Sequence, residues 1–315
     1  MLGIPGSCGN MEKSDKRYND RERKITRVTL WGAVSNLLLS AVKLIAGIVG
    51  RSSAMVADAV HSLSDLVTDV VVIVMVRLSA RGRDKDHDYG HGKYEPLATA
   101  FISLVLLIVG AELMAGGVRK IMFIMDGGDL PTPGYVALAA AVLSVVVKEI
   151  LYRWNVRVGR EVDSSAMVAN AWHHRSDALS SIGSAIGVGG AMFLGGRWIV
   201  LDPLVACVIS IVIVIVAVRM MLPALKELTD ASLPDEVEDR ITGLIESVPG
   251  IDDVHELKTR RNGPDYIIAA HIVVKPEMSV KEAHDISVQA EREIKNEFGP
   301  DTQVSLHIEP NVDSE

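Results

Sequence analysis

The sequence predicts a membrane all-α bundle of six helices followed by a small α+β domain, and three observations predict this fold class. The chain of 315 residues is 49% hydrophobic but only 4% aromatic, and its mean hydropathy is positive. Its Val, Ile, Leu and Ala residues lie in long runs, and a helix needs about 20 mostly apolar residues to cross the hydrocarbon core. After Pro223 these runs give way to short alternating segments.

Six apolar segments account for the predicted bundle. Their approximate bounds are 26–49, 54–78, 95–121, 134–154, 165–194 and 200–222. Lys and Arg residues collect on the cytoplasmic side of membrane proteins. With a cytoplasmic N-terminus, the segments on that side hold 14 Lys and Arg, and the outer segments hold 4. We therefore expect a multi-pass protein of the cytoplasmic (inner) membrane, with both termini in the cytoplasm.

The last part of the chain predicts a two-layer α+β domain. Alternating residues of 265–275 form one apolar face, as in a half-buried strand. The predicted order is αββαβ, with helices at 234–247 and 279–297 and strands at 252–260, 265–275 and 302–309. The expected domains are a cytoplasmic tail at 1–24, a membrane domain at 25–222 and a cytoplasmic domain at 223–315.

Charge and cysteine content exclude several classes of function. From Asp230 onward the chain has more than two acidic residues for every basic one. This balance argues against nucleic acid as a partner, because its binding needs basic patches. It suits a module that attracts cations. Cys8 and Cys207 are the only cysteines, so neither a disulfide framework nor a thiolate metal site is expected.

Two polar stripes cross the predicted membrane helices. The second helix carries Asp58, His61, Asp65 and Asp69, and the fifth carries Asn170, His173, Asp177, Ser181 and Ser184. At 100° per residue each stripe keeps to one helix face. Ionisable groups at this depth are energetically costly, so they need partners or a water-filled path.

The two stripes share an HxxxD turn, and this pair predicts a metal site. In each turn the His and the Asp lie about 5–6 Å apart. In antiparallel helices His61 would be level with Asp177, and Asp65 with His173. Two nitrogen and two oxygen ligands form a tetrahedral set that suits Zn²⁺. Asp58 and Asp69 are interpreted as supporting or path-lining groups, and Lys148 as an interhelical pair or an interfacial residue.

Two further histidine groups lie outside the predicted helices. Asp84, His87 and His91 in the loop after the second helix could bind a second ion, although Asp- and His-rich loops are also common without one. The tail domain holds His255, His271, His284 and His307, with Glu309 on the same predicted strand face as His307. These residues predict either a cytoplasmic metal cluster, completed by water or a partner subunit, or ordinary surface histidines.

Together these features resemble the cation diffusion facilitator family, and closely its bacterial zinc and iron efflux members. The resemblance covers about Ile25 to Pro310. The segments that carry it are ADAVHSLSD (57–65), DHDYGHGKYE (86–95), HHRSDALSS (173–181), LTDASLP (228–234), VPGIDDVHELKTRRNGP (248–264) and SLHIEP (305–310). Several motifs in one order and spacing make it specific.

The resemblance implies a homodimer with six membrane helices per subunit, a ferredoxin-like cytoplasmic domain and metal/proton antiport by alternating access. The implied transport site is His61, Asp65, His173 and Asp177, and the implied loop site is Asp84, His87 and His91. The binuclear tail site at the dimer contact would comprise His255, His271, His284, His307 and Glu309. Lys93 and Asp230 match an ion pair that ties the subunits together near the membrane.

The expected cargo is Zn²⁺, with Cd²⁺ close behind. Some relatives have Asp in place of His61 and Asp in place of Glu309, and two His with two Asp resemble the zinc- and cadmium-transporting branch. Zn²⁺ would also act as a regulatory ion in the tail, and protons would be the counter-ion, carried by His61 and His173. Fe²⁺, Mn²⁺ or Co²⁺ could use the same ligands. A membrane di-metal enzyme is the alternative class, but no nucleophile is evident, so no enzymatic activity is expected.

Overall fold

The structure is a computed structural model that describes residues 7–49, 66, 68–128, 135–194 and 200–311. It divides into two compact units. The membrane unit comprises Arg21–Leu78 and Tyr94–Leu225. The C-terminal unit comprises Met1–Asp20, Ser79–Lys93 and Lys226–Glu315. The loop Ser79–Lys93, which the sequence assigns to the membrane domain, thus belongs to the C-terminal unit.

Six helical segments precede the C-terminal elements in the described part of the chain. They are α1 Ser7–Val49, α2 68–79, α3 Tyr94–Met125, α4 Tyr135–Glu161, α5 Ser165–Leu194 and α6 Leu201–Leu228. Each overlaps one predicted apolar segment. Helix α1 begins well before its apolar segment, because the charged stretch after Gly9 is rich in Lys, Arg and Glu, which favour helix. Hydropathy detects only the apolar part of such a helix.

Three of these helices are long and apolar enough to cross a membrane, judged within the described ranges. The qualifying stretches are Asp20–Val42, Tyr94–Met125 and Ala206–Leu228. Helix α4 instead carries Lys148 and Glu149, and α5 carries His173, Arg175 and Asp177. The apolar helices make the chain a multi-pass membrane protein, and the count of six crossings stays a prediction.

Small residues bring α3 and α6 close together in the membrane unit. A Cβ added to Gly110 would lie 2.8 Å from Val214 Cγ2, and one added to Gly117 would lie 2.6 Å from Cys207 Sγ. Membrane helices associate through such small residues because their backbones can then approach closely. The outward side chains of α6 are large and apolar, and they include Val208, Ile211 and Ile215.

A buried arginine ties α1 to α3 and to the turn between α4 and α5. The Arg21 Nη2 atom donates to Glu95 Oε2 at 2.6 Å and to the Asp163 carbonyl at 2.9 Å, and Nε donates to the Val162 carbonyl at 2.8 Å. Arg21 is 8% exposed and Glu95 is 2% exposed. Removing one partner of a buried pair leaves the other charge uncompensated, so this contact is important for stability.

The C-terminal unit has the predicted αββαβ order. Its elements are α7 Asp235–Glu246, β1 Asp253–Asn262, β2 Asp265–Val274, α8 Val280–Phe298 and β3 Gln303–Pro310. The sheet order is β1-β2-β3, with β1 and β2 antiparallel and β2 and β3 parallel. The turn between β1 and β2 contains Gly263, whose φ of 63° favours glycine. The name ferredoxin-like stays a prediction.

The two faces of this sheet differ in character. Even-numbered residues of β2, including Ile268, Ala270 and Ile272, are buried in the core with Ile241 and Ile245 of α7 and Ala290 and Ile294 of α8. Helix α8 begins at a capping box, in which Ser279 and Glu282 satisfy each other's backbone N–H groups. Since both helices contact this buried face, the odd-numbered residues of β2 are left on the other face.

Candidate metal centres

Helix α5 holds two residues of the predicted transport site. His173 and Asp177 lie one turn apart and are 3% and 8% exposed. The Lys148 Nζ atom of α4 donates to Asp177 Oδ2 at 2.7 Å, and Lys148 is 2% exposed. Lys148 is therefore an interhelical ion-pair residue, one of the two roles predicted for it. The other two predicted ligands, His61 and Asp65, lie outside the described residues, as does Asp58.

The Lys148 contact gives the Asp177 carboxylate a positive partner. A buried carboxylate is very unfavourable unless it is paired and hydrogen-bonded. A metal ion that binds Asp177 can take over this role, since it also brings positive charge. In this structure Lys148 supplies the positive charge that the buried Asp177 carboxylate needs.

A second buried polar cluster joins α1, α2 and α5. The Asn170 Nδ2 atom donates to Asp69 Oδ1 at 2.6 Å, and His174 Nε2 lies 3.2 Å from the same oxygen. On the other side of the ring, His174 Nδ1 lies 3.4 Å from Asn36 Nδ2. All four residues are at most 2% exposed. We refer to Asn36, Asp69, Asn170 and His174 as the inner polar cluster.

Asp69 and Asn170 were predicted from the sequence as buried polar residues, whereas Asn36 and His174 were not. The available signal for His174 was its position four residues after Asn170, which places both on one helix face. No such signal exists for Asn36, whose contact with His174 spans 138 residues.

The three loop residues lie close together, and their binding of an ion stays a prediction. Ligand atoms of Asp84, His87 and His91 all lie within 4.8 Å of one another. Asp84 Oδ1 lies 3.4 Å from His87 Nδ1, and Asp84 Oδ2 lies 3.4 Å from His91 Nε2. The backbone N–H of Asp86 donates to Asp84 Oδ1 at 2.9 Å and, with the His87 N–H, holds the pKa of Asp84 below its ordinary value. These hydrogen bonds therefore favour the ionised form of the Asp84 carboxyl.

The loop is fastened within the C-terminal unit. Lys93 donates to Asp230, whose other oxygen accepts from Arg260 at 2.9 Å. The hydrogen bond from Lys93 lowers the pKa of Asp230. The Asn262 Nδ2 atom donates to the Tyr89 carbonyl at 2.8 Å, and a Cβ added to Gly92 would lie 2.5 Å from the Asn262 carbonyl oxygen. Lys93 and Asp230, predicted as an ion pair, thus form one within this chain.

Three histidines lie in one row across the sheet. His255 pairs directly with His271, and His271 with His307, in the registers of β1 with β2 and of β2 with β3. The ring centroids are 5.4 Å apart for His255 and His271 and 4.8 Å apart for His271 and His307. The row lies on the sheet face opposite the helices, because His271 is an odd-numbered residue of β2.

Glu309 connects this row. Its Oε1 atom lies 2.9 Å from His271 Nδ1 and 3.7 Å from His307 Nε2, and its Oε2 atom lies 3.1 Å from His255 Nε2. Ligand atoms of His255, His271 and Glu309 lie within 4.8 Å of one another. Three imidazoles around one carboxylate are a donor set for Zn²⁺ or a similar transition metal.

Two further residues, Glu256 and His284, differ in their relation to this cluster. Glu256, at a bulge in β1 with φ 48°, lies 3.7 Å from His271 Nε2. The hydrogen bond from Lys258 lowers the pKa of Glu256. His284, predicted as part of the site, is exposed on α8 and does not join the group of His255, His271 and Glu309. Its helix packs on the other face of the sheet, and its part in the site stays a prediction.

Comparison with known proteins identifies both units. The cation efflux transmembrane domain matches residues 30–229, and the cytoplasmic domain of cation efflux proteins matches residues 233–311. The chain is 35% identical over 291 residues to metal tolerance protein C1 of Arabidopsis thaliana, an alignment that covers 89% of this chain and 61% of that protein.

Two bacterial relatives align over most of their lengths. The manganese efflux system protein MneP of Bacillus subtilis is 29% identical over 296 residues, 93% of this chain and 98% of that protein. The magnetosome protein MamM of Magnetospirillum gryphiswaldense is 34% identical over 260 residues, 82% of this chain and 80% of that protein. The chain belongs to the cation diffusion facilitator family of divalent metal cation efflux transporters.

Proposed function

We propose that this chain is a homodimeric antiporter that exports Zn²⁺, and also Cd²⁺, from the cytoplasm in exchange for protons by alternating access. The observation that carries the proposal is the hydrogen bond of 2.6 Å between Asn170 of α5 and Asp69 of α2. It supports the predicted register, in which Asp65 is level with His173 and His61 with Asp177 when the helices run antiparallel. Two imidazoles and two carboxylates then face one another.

Lys148 gives this site a metal-free resting form. In the structure its ammonium group neutralises Asp177. An arriving Zn²⁺ displaces the ammonium, and the ammonium returns when the metal leaves. The negative charge of Asp177 is thus neutralised at every stage of the cycle. This lowers the energy barrier for the metal-free protein to change conformation. Protons enter the cycle because the histidine ligands must be deprotonated to bind metal.

The tail cluster is proposed as a regulatory zinc site. His255, His271, His307 and Glu309 offer ligands on an open sheet face, and His284 of a second copy would complete them. Metal bound only by the dimer stabilises the dimer by mass action. The acidic tail and the loop would attract cytoplasmic cations toward the membrane unit.

Manganese is the second candidate cargo. The Bacillus relative that aligns over nearly its whole length is named a manganese efflux system protein. Carboxylate and carbonyl ligands suit Mn²⁺, whereas imidazole-rich sets suit Zn²⁺. The two histidines of the proposed site favour zinc, and Fe²⁺ and Co²⁺ remain further alternatives.

Metal uptake into proteoliposomes tests the proposal. Vesicles with an acidic lumen should accumulate Zn²⁺ through the wild-type protein, and the Asp177→Ala variant should not. Glu277→Ala, which removes an exposed acid between β2 and α8, is the matched control and should transport as the wild type. Asp177→Ala transporting at the wild-type rate would refute the site assignment. Parallel uptake of Mn²⁺ and Cd²⁺ identifies the preferred cargo.

A further inference from the structure

The inner polar cluster contains more buried acceptor atoms than its neighbours satisfy. Asp69 Oδ2, Asn170 Oδ1 and Asn36 Oδ1 are buried and have no hydrogen-bond partner among the residues that the structure describes. A buried acceptor without a donor costs about 1–3 kcal/mol, and a charged one costs more. A hydrogen-bonded network with only a structural role would be expected to satisfy these atoms.

The polar atoms of three side chains in this cluster lie close together. Asp69 Oδ1, Asn170 Nδ2 and His174 Nε2 lie between 2.6 and 3.4 Å from one another. Rotating the Asn170 amide by half a turn exchanges its nitrogen for its oxygen, which then faces the carboxylate. Two oxygens facing each other repel unless a cation lies between them. One imidazole nitrogen with a carboxylate and an amide oxygen is a donor set for a divalent first-row metal.

Asn36 contacts the second ring nitrogen, Nδ1, of His174. Its amide lies 3.4 Å from Nδ1, on the side of the ring away from Asp69. Rotating this amide by half a turn would bring its oxygen to Nδ1, where it would accept the Nδ1 proton and leave Nε2 available to a metal. Metal-binding histidines commonly have such a partner on their second nitrogen, and the partner fixes the tautomer and the ring orientation. Asn36 is therefore a positioning residue.

We infer that Asp69, Asn170 and His174 form a second intramembrane binding site for a divalent metal cation, separate from the proposed transport site. The site deepens the proposed function and rests on it, because the ion it binds is the cargo. Asp69 follows Asp65 by four residues and Asn170 precedes His173 by three, which displaces these residues by about 6 Å along α2 and about 4.5 Å along α5. In the predicted topology this displacement is toward the cytoplasm, so an outgoing ion meets this site first.

Mn²⁺ bound per chain, measured on the full-length protein in detergent, distinguishes the two sites. Mn²⁺ alone is the probe because its spin resonance spectrum reports free and bound ion. We expect Asp69→Asn and Asp177→Asn each to lose one ion per chain and the double variant to lose two. The remaining Mn²⁺ of Asp177→Asn should bind at least tenfold more weakly when Asn36→Ala is added, because outer partners typically contribute 10–100-fold to metal affinity.

Three results would overturn the inference. Asp69→Asn could bind as many ions as the wild type, the double variant could bind as many as either single variant, or Asn36→Ala could leave the affinity unchanged. The first makes the cluster a hydrogen-bonded network only, and the second makes Asp69 a support for the transport site. The proposed function fails separately if Asp177→Ala carries Zn²⁺ into proteoliposomes at the wild-type rate.

A gain-of-function variant guards against misfolding of Asp69→Asn. Asn170→Asp places a second carboxylate in the cluster and should tighten Mn²⁺ binding at least tenfold in the Asp177→Asn background. A cluster without a metal role would instead be destabilised by the two adjacent charges, and its Mn²⁺ affinity would not rise. Unchanged or weaker binding by Asn170→Asp would therefore contradict the inference.

Discussion

Replacing Lys148 by Met should destabilise the metal-free protein and tighten zinc binding at the same time. The Lys148 and Asp177 side chains are 2.7 Å apart and are 2% and 7% exposed. Removing one partner of such a buried pair typically costs 3–5 kcal/mol, because the other charge stays buried. In a chain of this size, that loss corresponds to a decrease of about 10 °C in melting temperature.

The gain in affinity follows from the same contact. Zn²⁺ must displace the ammonium of Lys148 from Asp177 in the wild-type protein, and a hydrogen bond to a charged group is worth about 1.5–3 kcal/mol. Without that competitor, zinc should bind about 10- to 100-fold more tightly, since each 1.4 kcal/mol is a factor of ten. Transport should slow nevertheless, because the unloaded carboxylate then lacks its internal cation.

Thermal unfolding of the purified protein with and without Zn²⁺ measures both effects. Lys281→Met, at an exposed position of α8, is the matched control and should behave as the wild type. A Lys148→Met variant that melts as the wild type without metal, or that binds zinc more weakly, would refute the exchange of cations at Asp177.

The remaining predictions concern the other charged contacts. Glu309→Ala should weaken zinc binding at the tail cluster and dimer formation, measured by calorimetry, while zinc uptake into vesicles persists. A complete loss of uptake would contradict this division of roles. Because Lys93 lowers the pKa of Asp230, their contact stabilises the fold above the ordinary pKa of that carboxyl and is lost as the pH falls through the lowered value. The melting temperatures of the wild type and Lys93→Met should therefore differ at pH 7 and converge once the pH falls below the lowered pKa of Asp230, and a constant difference would refute the assignment. Arg21→Met should lower the free energy of unfolding by about 3–5 kcal/mol because it leaves Glu95 buried without its cation. Adding Glu95→Gln should recover part of that stability, measured as a rise in melting temperature.

Local patterns predicted the elements of both units well. Apolar runs located the helices of the membrane unit, and the alternation of apolar residues located β2. Both patterns can be seen in the sequence because apolar residues recur at the positions that an element buries. The charged start of α1 was missed, since hydropathy responds to lipid contact and not to helix formation. Strand alternation placed His307 and Glu309 on one face, but the row of His255, His271 and His307 depends on the β1 bulge and the parallel pairing of β3, which the sequence did not predict.

Contacts between residues far apart in the chain could not be predicted from the sequence. The pairing of Lys148 with Asp177 spans 29 residues, and that of His174 with Asp69 spans 105. Helix periodicity states which face a residue lies on, but not which neighbouring helix that face meets. Asn36 shows the limit most clearly, because an isolated Asn in an apolar helix carries no indication of its partner.

We expect a divalent metal and protons to cross the membrane in opposite directions through the proposed site on α5. Zinc and proton fluxes recorded simultaneously in the same proteoliposomes measure this exchange. An imposed zinc gradient should drive protons the opposite way, and Asp177→Ala should abolish both fluxes while Glu277→Ala preserves them. Zinc movement without any proton flux, or equal fluxes through Asp177→Ala and the wild type, would contradict it.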